Sequence, residues 1–215
     1  MKAVITADII NSTKLDEREA SILLTHLHAT IKELANIKFN IHNNFVIKRG
    51  DSIQGELEHA SDALRFALIL KTAINRLVLV KNNTRNVAID IRIAIGIGNV
   101  ISNGTINESS GEAYINSGRT LDSMKKEKRV FNIKTPDEEI TNELETEFKL
   151  LEIIMDRWTL SSANILYYIL LEKKETEVAE ILRVTQSAIN QAKKRVGWNG
   201  IESLIIRYEK LMQKI

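Results

Sequence analysis

Residues Lys2-Ala3-Val4-Ile5-Thr6-Ala7-Asp8-Ile9 begin the chain with a short run rich in β-branched side chains, and the polar turn Asn11-Ser12-Thr13 follows closely. A short apolar run that ends at an acid and a turn is typical of a buried strand. In residues 17–36, apolar side chains recur at steps of three and four, which predicts a helix with one buried face. The chain therefore starts with a strand and a helix.

The elements that follow complete a recognisable order. Two predicted strands flank the turn Arg49-Gly50-Asp51, which indicates an antiparallel hairpin with an acid at its tip. The predicted elements are strands at residues 39–48 and 52–57, a helix at 60–80, and strands at 87–97 and 131–135. The order β-α-β-β-α-β, with a further αβ step, is that of a ferredoxin-like α+β domain. In that fold helices cover one face of an antiparallel sheet, and we expect the opposite face to stay open for substrate.

The composition is that of a folded protein and excludes several kinds of site. Of the 215 residues, 44% are hydrophobic and none is cysteine, and the formal net charge is +2. Disulfides, thiolate zinc sites and a cysteine nucleophile are therefore excluded. No apolar run approaches the roughly 20 residues of a membrane span, and Asp8 comes too early for a signal peptide. We expect a cytoplasmic protein without a membrane partner, on which any basic surface is local.

Two acids become neighbours in this predicted fold. Asp8 ends the first strand and Asp51 lies at the tip of the hairpin, and these strands are expected to pair at the centre of the sheet. Two such carboxylates suit Mg²⁺ bound to a triphosphate, because magnesium favours one or two carboxylates together with phosphate oxygens. Taken singly, an aspartate in either position is more often a turn former or a cap.

Four stretches resemble the motifs of class III nucleotidyl cyclases, in the same order and at plausible distances. They are Thr6-Ala7-Asp8-Ile9-Ile10-Asn11-Ser12-Thr13, Lys48-Arg49-Gly50-Asp51, Arg92-Ile93-Ala94-Ile95-Gly96-Ile97-Gly98 and Gly111-Glu112-Ala113-Tyr114-Ile115-Asn116-Ser117-Gly118-Arg119. Together they cover about residues 2–135. Four weak matches in order are far more specific than any one of them.

The resemblance implies a set of site residues. Asp8 and Asp51 would bind Mg²⁺ or Mn²⁺ with help from the Ile9 carbonyl, and Arg119 and Asn116 would be the catalytic residues. The candidate nucleotide-binding residues are Asn11, Ser12, Thr13, Lys48 and Glu108. Because cyclase sites lie between two subunits, the resemblance also implies a two-fold homodimer.

Three positions depart from the cyclase pattern. Ile115 stands where the family has its catalytic asparagine, and Asn116 follows one residue late. Ile47 stands where the family has a purine-selecting lysine, with Lys48 one residue late, and Glu108 replaces the purine-selecting aspartate. These shifts fit a domain that binds a nucleotide without cyclising it as well as they fit a cyclase with local bulges.

Residues 177–195 have the pattern of a helix-turn-helix. Two short helices that meet at a fixed angle need a small residue at their contact, which Ala179 supplies. Thr185 is placed to cap the second helix and Gly197 to end it, whereas Arg183 replaces the usual turn glycine and requires a left-handed arginine or an altered turn. The positions predicted to be buried are Val178, Leu182, Val184, Ile189 and Ala192.

The second helix of this motif has a polar and basic face. Glutamine and asparagine can pair with adenine edges, and lysine and arginine can neutralise phosphates. The predicted DNA-binding residues are Thr185, Gln186, Ser187, Asn190, Gln191, Lys193, Lys194 and Arg195. The alternative is an amphipathic helical pair that only packs, since polar residues also suit plain solvent.

The whole layout resembles the SatD family of small bacterial proteins. We predict a nucleotidyl cyclase-like α/β domain at residues 1–135, a connector helix at 136–157 that Pro136 opens, and a helix-turn-helix domain at 158–215. The first hypothesis is a transcription regulator whose α/β domain binds a nucleotide with Mg²⁺. The second is a nucleotidyl cyclase or nucleotidyltransferase that acts on nucleoside triphosphates and is activated by DNA, and the third is an adaptor that makes only protein contacts.

Overall fold

The protein is described by a computed structural model. It describes residues 1–37, 39, 45–48, 51–81, 85–101 and 108–215, and their side chains except at 36–37, 48, 80–81 and 85–88. The strands are β1 (Lys2–Ile10), β2 (Phe45–Lys48), β3 (Ser52–Leu57), β4 (Val78–Lys81), β5 (Arg85–Ala88), β6 (Asp90–Gly98) and β7 (Phe131–Lys134). The helices are α1 (Glu17–Ile37), α2 (Ala63–Asn75), α3 (Glu112–Glu127), α4 (Glu138–Met155), α5 (Leu160–Leu170), α6 (Glu175–Leu182), α7 (Gln186–Arg195) and α8 (Trp198–Met212).

Five strands form one sheet in the order β2-β3-β1-β6-β7. All neighbouring pairs are antiparallel except β6 and β7, which run parallel. The first four strands have the ferredoxin-like order, and β7 extends the sheet by the predicted αβ step. The predicted α+β class is therefore confirmed, with β1 at the centre of the sheet.

β1 is buried on both faces. Ala3, Ile5, Ala7 and Ile9 alternate into the large core that also contains the apolar faces of α1 and α2. On the other face, α3 lies against β1, β6 and β7. The expectation of an open second face was therefore wrong in part, because α3 covers much of it.

Gly96 allows this close approach of α3. A Cβ atom at Gly96 would collide with the Ala113 carbonyl oxygen and the Ser117 backbone nitrogen of α3. The helix is also held by polar contacts, since the hydroxyl groups of Thr6 and Ser117 are 2.9 Å apart and the Asn116 side-chain amide donates to the Ile97 carbonyl at 2.8 Å. The absence of a side chain on β6 thus decides how α3 packs.

Two predicted elements were wrong in their bounds. The helix predicted at 60–80 ends at Asn75, and β4 (Val78–Lys81) pairs instead with β5 in a separate two-stranded sheet. The strand predicted at 87–97 is interrupted between Ala88 and Asp90. The β-branched valines of β4 suit a strand, and pairing with β5 overrode the helical spacing. Of the strand predicted at 39–48, residues 45–48 form β2, and most of the rest lies outside the described residues.

Arg129 joins the sheet to α4. Its guanidinium donates to Glu145 at 3.2 Å, to Glu152 at 3.2 Å and to the Phe131 carbonyl at 3.0 Å. The other Glu152 carboxylate oxygen accepts the backbone N–H groups of Val130 and Phe131, both at 2.7 Å. The Arg129 side chain is only 8% exposed. This ion-pair network therefore holds the start of β7 against α4.

The C-terminal helices pack directly on the sheet's helical layer, and one apolar core runs through both. The Tyr167 hydroxyl donates to Glu33 at 2.7 Å, and the Arg76 guanidinium lies 3.8 Å from the centre of the Tyr167 ring. The Tyr208 hydroxyl donates to the Ala60 carbonyl at 2.8 Å. Helix α5 therefore packs on α1 and α2, and α8 packs on α2 and the turn before it, whereas α6 and α7 are attached through α5 and α8. Within the part of the chain that is described, no helix is both long and apolar enough to cross a membrane.

We expect Arg129→Met to lower the free energy of unfolding by about 3 kcal/mol, because it leaves two partly buried carboxylates without their cation. Chemical denaturation measures the change. Lys149→Met is the matched control, because it removes an exposed cation that lies 3.4 Å from the same Glu145, and we expect it to cost less than about 0.5 kcal/mol. Equal effects of the two variants would contradict a structural role for the Arg129 network.

Candidate functional site

Asp8 and Asp51 lie at the same end of the sheet. Asp8 pairs with Ser52 in the β1–β3 register, and the Ile9 N–H donates to the Asp51 carbonyl at 2.9 Å. The Ser12 hydroxyl donates to the Asp51 carboxylate at 2.7 Å. The sequence predicted this neighbourhood from the hairpin and the central position of β1.

Two cations already neutralise Asp8. One carboxylate oxygen accepts from Arg92 at 2.9 Å, and the other lies 3.0 Å from the Lys125 ammonium. Arg92 also donates to the Arg129 carbonyl at 3.0 Å. Neither cation was predicted to contact Asp8. Arg92 is opposite Asp8 in the β1–β6 register, so the pairing of side chains across neighbouring strands predicts this contact.

The predicted catalytic residues of α3 do not reach the acids. Asn116 is partly buried and its amide binds the Ile97 carbonyl, so it holds α3 on the sheet. Arg119 is exposed and makes no ion pair with Asp8 or Asp51, all three of which the structure describes. Lys125 is the α3 residue that contacts Asp8. Ile115 is 51% exposed and supplies no polar group.

The predicted nucleotide-binding residues lie in three separate segments of the chain. Asn11 has a left-handed backbone and precedes the short 3-10 turn Ser12–Lys14, which follows β1 directly. Glu108 is exposed at the edge of the undescribed residues 102–107. Lys48 ends β2, but its side chain lies outside the described part of the chain, as do Arg49 and Gly50.

Asp8 and Asp51, which we call the acidic pair, offer a metal ion only two carboxylates. Among the described residues, no cluster of three or more histidines and carboxylates is arranged to hold a metal ion. Two carboxylates are nevertheless enough for magnesium when phosphates and water complete its shell. Lys125, whose side chain is 47% exposed, would have to leave Asp8 before a cation could bind there.

Helices α6 and α7 form the predicted helix-turn-helix. Arg183 has φ 54° and ψ 45°, which is the left-handed conformation that its position requires. The Thr185 hydroxyl caps α7 by accepting the Ala188 N–H at 3.2 Å, and Gly197 has φ 72° after the helix. Val178, Ile189 and Ala192 are buried as predicted.

Val184 is not buried, contrary to the prediction. Its side chain is 45% exposed. The Val184 N–H closes the end of α6 by donating to the Ala179 carbonyl at 3.0 Å, so the residue belongs to the turn between the helices and not to their contact. Leu182, also predicted as buried, is partly buried against the core.

Lys193 holds α7 to α6. Its ammonium lies 2.7 Å from the Glu175 carboxylate, and both side chains are 25% exposed. The hydrogen bond from Lys193, together with a weaker one from Gln186, lowers the pKa of Glu175. Lys193 therefore has a structural partner that the sequence analysis missed, and it is less available to a phosphate than its two neighbours.

The remaining polar residues of α7 form an exposed surface, which we call the α7 face. Its members are Gln186, Ser187, Asn190, Gln191, Lys194 and Arg195. Thr185 is exposed beside it, but its hydroxyl is engaged in the cap. The structure thus places six of the eight predicted DNA-binding residues together on one accessible side of a helix.

No protein-family model matches the chain, and no curated protein matches it. Among solved structures, 10 chains match. One is the GGDEF domain of DgcB from Caulobacter crescentus in complex with c-di-GMP, at 12% identity and a TM-score of 0.41, with 62% of this chain and 77% of that chain covered. Another is a dimeric guanylyl cyclase domain of the RhoGC fusion protein from the aquatic fungus Blastocladiella emersonii, at 18% identity and a TM-score of 0.41, with 57% and 73% covered. The fold assignment rests on the strand order and register given above.

Proposed function

We propose that this chain is a transcription regulator that binds duplex DNA through its helix-turn-helix. The observation that carries the proposal is the composition of the α7 face. Residues 186–195 contain three cations and no carboxylate, whereas α4 contains six glutamates in its 18 residues. The α7 face is therefore locally basic in a chain whose net charge is only +2, and a local basic surface is what contact with DNA phosphates requires.

The chemistry of the α7 face suits the major groove. Asn190 and Gln191 can each make two hydrogen bonds to an adenine edge. Lys194 and Arg195 follow at the C-terminal end of the helix, where they can contact phosphates and fix the register of the helix on the duplex. Lys193 remains tied to Glu175, so we assign it to holding the angle between α6 and α7.

We expect a two-fold dimer to bind DNA with higher affinity than a single chain. Helix-turn-helix dimers place two recognition helices in successive major grooves, about 34 Å apart. One such module alone makes few phosphate contacts, so a second copy multiplies affinity. The cytoplasmic location that we expect from the sequence is compatible with this role.

We expect Lys194→Ala combined with Arg195→Ala to weaken binding to a random-sequence duplex pool about tenfold at low salt, and to reduce the slope of log affinity against log salt by about 2. Gel shifts over a salt series measure both quantities. The matched control is Lys210→Ala combined with Lys214→Ala, which removes two exposed cations from α8 and the residues that follow it.

Unchanged affinity in the α7 variant would exclude the α7 face as the DNA contact. An equal loss in the α8 control would show that only net charge matters. Absence of any DNA binding by the native chain would contradict the proposal and leave the nucleotide-binding hypothesis and, if that surface also proves inert, the adaptor hypothesis.

A second candidate function is nucleotide binding with Mg²⁺ at the Asp8–Asp51 end of the sheet. The observation that favours it is that two neighbouring strands place both aspartates at the same end of the sheet, as the cyclase resemblance implies. Asp8 and Asp51 would hold the cation, which would neutralise the charge of a triphosphate. Lys125 and Arg92 are the residues of this chain that could contact the phosphates once the cation has taken their place on Asp8.

We expect Lys125→Ala to raise the affinity of the chain for Mn²⁺ about fivefold, because it removes the cation that competes for Asp8. Titration calorimetry with MnCl₂ measures the affinity, and Asp51→Ala is the control that should lose binding. If native protein, Lys125→Ala and Asp51→Ala bind Mn²⁺ alike, the acidic pair is not a metal site.

The same three proteins test for catalysis. Each is incubated with the four nucleoside triphosphates and Mg²⁺ or Mn²⁺, and the products are identified by mass spectrometry. A cyclic or transferred nucleotide from the native chain but not from Asp51→Ala would establish the enzymatic alternative and contradict a pure regulator.

A further inference from the structure

A cavity lies away from both sites, between the sheet layer and the C-terminal helices. It has a volume of about 380 Å³ and is enclosed by the end of α2, the start of β4, the start of β6 and the link between α4 and α5. This volume is in the range of small-molecule sites. Neither the α7 face nor the acidic pair contributes a residue to it.

The floor of the cavity is a charged pair of a buried lysine and a partly exposed aspartate. Lys71 is 3% exposed, and its ammonium lies 2.5 Å from an Asp90 carboxylate oxygen and 3.1 Å from the Ile91 carbonyl. The Asn75 amide and the Ile91 N–H bind the same Asp90 oxygen at 3.0 and 2.8 Å. All these donors meet one oxygen of Asp90, so the second oxygen is left without a hydrogen bond from any described residue.

The charge of the lining is therefore negative. Lys71 is matched by Asp90, and Asp156 adds an exposed carboxylate that pairs with no cation among the described residues. A carboxylate without a paired cation at the wall of a cavity favours a cationic ligand.

The rest of the lining suits an apolar body. Val78 and Leu160 are 37% and 43% exposed although both are large apolar side chains. Trp158 also lines the cavity, and its buried indole N–H has no acceptor among the described residues. An indole ring attracts cations that reach its face, so the wall combines apolar area, an aromatic residue and negative charge.

From this combination we infer a binding site for a small organic cation, an amine carried on an aromatic or branched aliphatic body. The ammonium group would lie between Asp156 and the second carboxylate oxygen of Asp90, and the body would cover Val78, Leu160 and Trp158. Such a ligand contacts the sheet layer and the α4–α5 link together.

The experiment uses three probes with one body and different charge: 4-phenylbutylamine, 4-phenylbutan-1-ol and 4-phenylbutanoate. The chain has two tryptophans, so a ¹⁵N-labelled sample gives two indole N–H signals, which Trp158→Phe assigns. Trp198 does not line the cavity and serves as the internal reference. We expect the amine to shift the Trp158 signal saturably and the Trp198 signal little, with the alcohol weaker and the carboxylate weakest.

Variants separate the proposed site from non-specific binding. Asp156→Asn should weaken the amine about fivefold and leave the alcohol unchanged, because only the charge is removed. Leu160→Lys should abolish amine binding, whereas Leu150→Lys, at an exposed α4 position outside the cavity, should not. An unchanged Trp198 signal shows that each variant is folded. The inference is overturned if the amine does not shift Trp158, if the three probes bind equally, or if binding survives Leu160→Lys.

Discussion

The close packing of α3 on β6 is the contact on which the arrangement of the sheet's second face depends. It is possible because Gly96 has no side chain where the Ala113 and Ser117 backbones approach. It buries a polar layer, in which the Tyr114 hydroxyl donates to Glu56 at 2.5 Å and burial raises the pKa of Tyr114 well above its ordinary value. Buried polar groups are tolerated when each finds such a partner.

The same packing determines the electrostatics of the acidic end. With α3 in this position, Lys125 comes to Asp8 from one side and Arg92 from the strand beside it. Arg119, in contrast, is exposed to solvent. Within one chain, Arg92 and Lys125 thus balance the charges of Asp8 and Asp51 without a metal ion. A site that uses Arg119 would need a second chain or a different position of α3.

The shared core of α2 with the C-terminal helices has a second consequence. Tyr208 is fully buried at this contact, and burial raises its pKa well above the ordinary value, so the hydroxyl stays protonated and bound to the Ala60 carbonyl. A helix-turn-helix that is seated in this way cannot rotate independently of the sheet layer without breaking apolar contacts. The α7 face is therefore presented by a rigid support, which favours precise contacts with a duplex.

Local patterns predicted much of the architecture. Apolar alternation and turn residues identified β1 and the hairpin, and the spacing of Ala179, Thr185 and Gly197 identified both helices of the motif with their caps. Failures arose where distant residues decide the outcome. The partners of Lys193 and Lys125 lie 18 and 117 residues away. The β4–β5 pair is local, and it was missed because the helical spacing of residues 60–80 outweighed the β-branched valines. The cavity could not be predicted either, because four separate segments enclose it.

Hydrogen–deuterium exchange of the full chain, with and without saturating duplex DNA and separately with ATP and Mg²⁺, tests the central claim most directly. The claim is that the α7 face is the principal ligand-binding surface and that the acidic end is neutralised by the chain's own cations. It predicts that DNA slows exchange in residues 183–196 and leaves β1 and β3 unchanged. Protection confined to the β1–β3 end, with none in α7 at saturating DNA, would contradict it.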